Sequence, residues 1–373
     1  MLRKDIVLGS SYITSVDDAM IEIDGSTGEG GGALLRTALA LSAVSQRSIH
    51  IYNIRAKRAK PGLQPQHLHG VEALAKITNA KIEGLKLNST ELTLEPSVIE
   101  GGRYRVDIGT AGSTTLILQI LMPAAAFARK PIELEIIGGT DQSLAPPIDF
   151  LKNVTLPVLR RMGYLGEVEC LRRGHYPRGG GIVRARIEPV QCLNAIKLTE
   201  PGKVAHISGI AHCVKLPEHI ATRMAHAASM ALIKAGYSKV NIRAESYPPT
   251  KDPHLGPGTG IALWAETERG AILGASSLGR PGKPAEQVGR EAAESLVKQL
   301  RTGRVVDRHL TDQLILYMAL AEGTSDITSA ELTSHALTNI TLVENILGVK
   351  FEVDGQQGQP GRIKVVGLGF SSR

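Results

Sequence analysis

Asp24-Gly-Ser-Thr-Gly-Glu-Gly-Gly-Gly-Ala-Leu-Leu-Arg36 is the stretch on which the reading of this chain turns. Five glycines surround one carboxylate, Glu29, and the loop runs straight into the apolar stretch Ala33–Ala43. Such a loop bares backbone N–H groups beside a helix N-terminus, an arrangement suited to phosphate. A carboxylate repels phosphate unless a metal ion stands between them, so Glu29 points to metal-assisted phosphate chemistry. The plainer alternative is a tight turn whose acid complements a helix dipole. Asp24 reads as a strand end that caps the turn.

Outward from this loop, one pattern recurs three times: a short loop and apolar helix, a strand, a polar loop, a second helix and two strands. The first copy places helices at Ala33–Ser45 and Gln66–Thr78, with strands at Ser48–Ile54, Ala80–Leu87 and Glu91–Glu95. The second has helices Thr114–Phe127 and Ile148–Met162, with strands Ile132–Ile137, Gly166–Arg172 and Gly181–Ile187. The third has helices Leu310–Ala321 and Ser334–Leu347, with strands Thr324–Thr328, Val349–Asp354 and Arg362–Val366. Leu34, Leu35, Ala38, Leu39 and Leu41 keep helical spacing, whereas Leu314, Leu316, Met318 and Leu320 suit a helix buried on several sides. A block from about 190 to 300 interrupts the pattern with helices Pro217–Ala235 and Ala285–Leu300 and a set of strands. The predicted architecture is α+β: three repeated units with two helices each, in pseudo-threefold array, and one smaller inserted α/β domain. The expected divisions are an N-terminal extension at 1–19, a large catalytic domain over 20–189 and 301–373 (repeats at about 20–98, 103–189 and 301–373), and the insert at 190–300.

Aromatic residues make up only 3% of the chain, so the core has to come from Ala, Val, Ile and Leu. Forty-three basic residues against 36 acidic leave a net charge of +7, which permits a polyanionic partner without requiring one. The three cysteines, Cys170, Cys192 and Cys213, have no paired spacing, which favours a reducing compartment. Met1–Asp18 lacks the apolar core of a signal peptide. The longest apolar run, Leu116–Phe127, is too short to cross a bilayer and holds Gln119 and Pro123. A cytoplasmic protein with no membrane partner is expected.

Other segments carry chemistry, each with a plainer reading. Arg55, Arg58 and Lys60 cluster in a Pro-Gly-constrained loop before a helix that opens on Gln66 and His67, as an anion site or a solvated basic loop. The block Gly138–Phe150 is foremost a rigid helix start, though its prolines and Phe150 can also contact a base. Asp312 and Gln313 follow His309 near a helix N-terminus, where capping explains them equally well. His335, in Ser334-His-Ala-Leu-Thr-Asn339, is either a structural histidine or a nucleophile towards phosphorus. His212, Cys213 and His219 lack a fourth ligand at sensible spacing, which argues against a metal site there. Gly256–Gly260 reads as a turn, and no Lys-containing P-loop occurs.

Taken in order, these segments resemble the RNA 3′-terminal phosphate cyclase family: the glycine loop with Leu35-Arg36, Arg55-Ala-Lys-Arg58-Ala-Lys60-Pro-Gly-Leu, Gln66-His67, Gly109-Thr-Ala-Gly112-Ser, Gly138-Gly-Thr-Asp141, Ala145-Pro-Pro, His309-Leu-Thr-Asp-Gln-Leu and His335-Ala-Leu-Thr-Asn. The match spans roughly residues 20 to 370; each motif is weak alone, and their order and spacing are specific. The resemblance implies that each repeat backs a four-stranded sheet with its two helices. It also implies three chemical steps. A histidine attacks the α-phosphorus of ATP and releases pyrophosphate; AMP passes to an RNA 3′-phosphate; the neighbouring 2′-hydroxyl closes a 2′,3′-cyclic phosphate and releases AMP.

By matching position, the resemblance assigns His335 as nucleophile and Glu29 as metal ligand with Gln119 nearby. Pro146 is one face of an adenine sandwich, Phe150 lies against the adenine edge, and His309 falls at the opposite face, where some members carry tyrosine. Asp312 and Gln313 belong to the same pocket. Arg36, Arg55, Arg58, Gln66 and His67 fall near RNA phosphates. Ala33 stands where many members have glutamine, which touches one loop contact. Magnesium or manganese is the implied ion and an RNA ending in 3′-phosphate the implied partner; a homodimer is compatible. Two competing readings remain: a non-catalytic ribosome-biogenesis relative, which should lack the histidine, and an enolpyruvyl transferase, which shares helix–sheet repeats but needs no histidine–AMP step.

Overall fold

The computed structural model describes residues 20–371 together with the backbone of a short strand pair, Val7–Leu8 and Ser11–Tyr12. The rest of the expected N-terminal extension lies outside the described residues. The protein is a mixed α+β structure with four four-stranded sheets among the described residues.

The glycine loop leads into a helix at Gly32–Ser45 in which eleven residues from Ala33 to Ser45 are buried, so it has almost no polar face. It packs on the helices Thr114–Ala125 and Ser334–Leu347, and the latter packs on Arg308–Leu320. Arg308–Leu320 is buried from Leu314 through Leu320, as the poorly periodic leucines suggested. Pro65–Thr78 completes this helical layer against Thr114–Ala125. It starts on Pro65 at its first turn, with Gln64 and His67 closing a reciprocal cap.

The first sheet pairs Ile21–Asp24 in parallel with Ile49–Tyr52, which is antiparallel to Leu92–Glu95, with Lys81–Glu83 at the edge. The second repeats that order with Gly102–Asp107, Ile132–Gly138, Gly181–Glu188 and Leu165–Arg172. In the third, Lys197–Leu198 pairs in parallel with Glu322–Ser329, followed by Gly361–Leu368 and Phe351–Asp354. The fourth is connected differently, with Val204–Val214 between Val240–Glu245 and Gly258–Thr267, and Ile272–Leu278 outside. Helices His219–Lys234 and Ala285–Arg301 pack on each other and on this sheet.

Most expected helices and strands occur within a few residues of their predicted limits. One differs in kind. The expected regular helix Ile148–Met162 is α-helical at Ile148–Phe150 and Leu156–Arg161 but has a π turn at Leu151–Thr155. Pro157 has no N–H to give the carbonyl one α-turn back, so the regular ladder cannot run through this segment. No helix among the described residues is long and apolar enough to cross a membrane.

Candidate phosphate-handling site

The first turns of Gly32–Ser45, Arg308–Leu320 and Ser334–Leu347, with the Gln119 face of Thr114–Ala125, open onto one cleft of about 1720 Å³. First turns of three helices bordering one space make it favourable for anions. Arg36, Gln119, Pro146, His309, Asp312, Gln313 and His335 all line it, and Ser276–Pro284 together with Arg223 forms the wall contributed by the fourth sheet and its helices.

His335 sits in the first turn of its helix, whose N-cap Thr333 accepts from the Ala336 N–H at 3.0 Å. Its Nδ1 lies 3.4 Å from Glu29 Oε2. Burial, then the charges of Arg36 and Arg58, hold its pKa below the ordinary histidine value. The ring is therefore neutral at physiological pH. With Nδ1 towards the carboxylate, a proton there leaves the Nε2 lone pair free. Glu29 also pairs through its other oxygen with Arg58. Its own N–H donates to Thr338 Oγ1 at 3.3 Å, which fastens the loop to the Ser334–Leu347 helix. Gly28 has a φ of 58°, and a Cβ there would run into Thr338.

Arg36 donates from Nε to Gln119 Oε1 at 3.1 Å. Burial lowers the pKa of its guanidinium to about 10, against the opposing charge of Asp312; it remains cationic. Asp312 is pushed up to about 7 by burial, although Thr333 Oγ1 hydrogen-bonds to it. Asn339 joins the pair by donating to the Asp312 carbonyl at 3.1 Å while accepting from Thr37 at 2.9 Å.

On the nucleobase side, Phe150 meets His309 edge-on, with centroids 6.0 Å apart. Phe150 is itself buried and does not line the cleft. Gln313 donates to the His309 carbonyl at 3.1 Å and accepts from Thr155, a residue of the π turn, at 3.0 Å. Burial first, then Arg308 and His335, depress the His309 pKa to about 4. Asp307 caps this helix by accepting from the His309 and Leu310 N–H groups. Its second oxygen takes the Gly274 N–H at 2.9 Å, which latches the fourth sheet to the helix start. Pro146 is held by Thr115 Oγ1, which donates to its carbonyl at 2.8 Å.

The basic-loop residues divide. Arg58 reaches Glu29, but Arg55 folds back to donate to the carbonyls of Lys60 and Gly62, both at 2.7 Å. Gln66 accepts from the Ser113 N–H at 3.0 Å, tying two loops together. His67 is buried, with Nδ1 accepting from the Gln64 N–H at 3.2 Å, and its pKa falls to about 3 through burial and the nearby arginines. None of these four residues lines the main cleft. Conversely, Arg308, Asn339, Arg280 and Lys283 do line it. Asn339 stands in a motif already singled out. The run Gly279-Arg-Pro-Gly-Lys283 has the same basic, Pro-Gly character as the loop at 55–62, the signal by which it was there to be found.

A neutral histidine, a glycine-framed carboxylate and the half-buried Arg36 in an anion-favouring cleft define a protein suited to phosphate chemistry. A model of the family described as RNA 3′-terminal phosphate cyclase matches residues 27–353, and the chain belongs to this enzyme family. A protein of Methanopyrus kandleri named RNA 3′-terminal phosphate cyclase is 50% identical over 347 residues, covering 93% of this chain and 99% of its own. One of the same name from Ignicoccus hospitalis is 48% identical over 350 residues, 94% and 99% of the two chains. Another from Caldivirga maquilingensis is 51% identical over 334 residues, 89% and 94% of the two chains.

Proposed function

We propose that this protein converts the 3′-terminal phosphate of an RNA into a 2′,3′-cyclic phosphate at the expense of ATP, through a covalent AMP adduct on His335. The observation that carries the reading is the position of His335, its Nδ1 3.4 Å from Glu29 and its ring lining the same cleft as Arg36. In the first step His335 Nε2 attacks the α-phosphorus, the bond to the bridging oxygen breaks and pyrophosphate leaves. The adduct is cationic while Nδ1 keeps its proton, and the Glu29 carboxylate offsets that charge. An oxygen of the RNA 3′-phosphate then displaces the imidazole. The adjacent 2′-hydroxyl attacks the activated phosphorus and expels AMP. A phosphate monoester repels nucleophiles by its own charge; joining it to AMP provides a leaving group, and the vicinal hydroxyl is already in place.

Adenine would lie between Pro146 and His309, with Phe150 fixing the imidazole from behind and Gln313 and Asp312 setting its helix. Arg36 would face the reacting phosphates, and Arg58, with the Gln66–His67 helix start and the Arg55-braced loop, the RNA backbone. The residues present fit a magnesium-class ion. Glu29 Oε2 is buried without a hydrogen-bond partner, and two protein oxygens suffice for an ion that keeps phosphate and water ligands. Glu29 and Gln119 would hold it; magnesium or manganese would neutralise triphosphate charge.

The shared strand order of three sheets supports three copies of one unit, each with two helices on a four-stranded sheet, and an insert built on the fourth. The insert would begin after Leu198 rather than at residue 190, because Lys197–Leu198 pairs with the third sheet. A cytoplasmic location and an optional homodimer accompany the proposal, and the three free cysteines agree with the former.

Incubation with α-labelled ATP and a divalent ion tests the reading. Acid-labile, alkali-stable label should appear on the protein, be absent from His335→Ala, and be discharged by RNA with a 3′-phosphate but not by RNA with a 3′-hydroxyl. Absence of label on the wild-type protein would overturn it.

A further inference from the structure

A second cluster of metal-ligating side chains borders the cleft, apart from the His335–Glu29 pair. Asp141 lies beyond the end of Ile132–Gly138, His175 in the loop between Leu165–Arg172 and Gly181–Glu188, and His212 on the Val204–Val214 strand of the fourth sheet. All three are buried, yet Asp141 and His175 reach the cleft lining. The Nε2 atoms of His175 and His212 are 3.3 Å apart. His212 Nε2 is 3.8 Å from one Asp141 oxygen, and His175 Nε2 is 4.0 Å from the other.

These separations have the scale of a coordination shell. Four ligands at about 2.0–2.1 Å from a tetrahedral ion stand roughly 3.3–3.4 Å from one another. The imidazole pair already has that spacing, and Asp141, whose nearest oxygens stand 3.8 and 4.0 Å from the two rings, would close by about half an ångström or more through a side-chain rotation. Two Nε2 lone pairs facing each other are repulsive unless a proton or a cation lies between them.

The surrounding charges favour the cation. Arg173 is the buried cation here; it faces Asp149 at 2.8 Å, Asp141 at 3.5 Å and Glu245 at 2.6 Å, so three carboxylates share one guanidinium. Arg243 reaches Glu245 at 3.1 Å, but from an exposed position. Asp141 Oδ1, the oxygen nearest His212 Nε2, is buried without a hydrogen-bond partner.

We propose that Asp141, His175 and His212 bind a tetrahedral transition-metal dication of the zinc class, leaving one position on the cleft side for water or a phosphate oxygen. The site is separate from the ion expected at Glu29, whose ligands are oxygen only. Its ligands come from the second and fourth sheets, so the ion pins the fourth sheet to the Gly138–Pro147 segment that carries Pro146.

The experiment uses the full, untagged chain. Elemental analysis after dialysis is expected to give one zinc per chain, at least tenfold less in His212→Gln and Asp141→Asn, and unchanged in His335→Ala. Cobalt replacing zinc is expected to show the intense visible absorption of a tetrahedral centre. Chelation should lower the melting temperature, with recovery on adding zinc but not magnesium. A wild-type protein that retains no zinc and gives no such cobalt spectrum overturns the proposal. So does metal content that survives both substitutions. If His212→Gln does not fold, the cobalt spectrum of the wild-type protein decides.

Discussion

His335 Nδ1 and Glu29 Oε2 stand 3.4 Å apart although they come from opposite ends of the chain, one from a helix first turn and the other from a glycine loop. The carboxylate orients the ring and offsets charge formed upon it. Glu29→Gln keeps the shape and removes that charge. Adenylylation in single-turnover labelling should fall on the order of 10²-fold. The melting temperature should hardly move, because the Arg58 left unpaired is partly exposed. Undiminished labelling would remove Glu29 from the chemistry.

Arg36 is the largest nearby charge depressing His335, second only to burial. Arg36→Met therefore raises the histidine's pKa, and the acid limb of the labelling rate should move to higher pH. The sign is fixed by the chemistry: protonation removes the nucleophilic lone pair, so a raised pKa brings inactivation nearer neutrality. A pH–rate profile in which the limb moves down, or stays, contradicts the field attributed to Arg36.

Gly28 and Gly358 both have left-handed backbone, with φ of 58° and 78°, but only Gly28 has a neighbour where a Cβ would go. Gly358→Ala should cost about 1 kcal/mol from backbone strain. Gly28→Ala should cost about 1–3 kcal/mol more, because Thr338 has to move, and it should also impair labelling by displacing Glu29. Chemical denaturation of the two variants checks the ordering; equal costs would show that Thr338 yields freely.

Asp307 ties the helix that carries His309 to the fourth sheet through the Gly274 N–H. Asp307→Ala should destabilise the protein by about 1–2 kcal/mol as a lost cap, with more from the stranded Gly274 N–H. Loss of the latch should also weaken ATP binding, read by equilibrium titration, since His309 and the Ser276–Pro284 wall adjoin it.

His67 has a folded-state pKa of about 3 against an ordinary value of 6.5. Between those values the unfolded chain binds the extra proton and the native one does not, so stability rises with pH across that window. His67→Gln deletes this contribution. Its stability relative to wild type should therefore improve on going from about pH 7.5 to about pH 5 in urea titrations. The opposite drift would mean that His67 is charged in the folded protein.

The local features of the fold were legible because local rules produce them. The glycine loop and the apolar spacing after it announce themselves within a few residues. The π turn at Leu151–Thr155 did not, since its helical periodicity looks regular until the missing N–H of Pro157 is weighed. The parallel strand Lys197–Leu198 was hidden in the inserted block because two residues carry no pattern.

Residue types and their order determined, by themselves, the α+β class, the glycine-framed Glu29, the candidate nucleophile His335 and membership of the cyclase family. Only the tertiary structure decided how those residues meet. Burial and two arginines, placed by separate elements, set the neutral state of His335; Arg36 found Gln119 on another helix, while Arg55 turned back to brace its own loop. His212 illustrates the limit: beside Cys213 and His219 in the chain it suggested no metal site, but folding sets it against His175 and Asp141. A pKa or a coordination shell depends on distance and dielectric in three dimensions, and neither is encoded by neighbours along the chain.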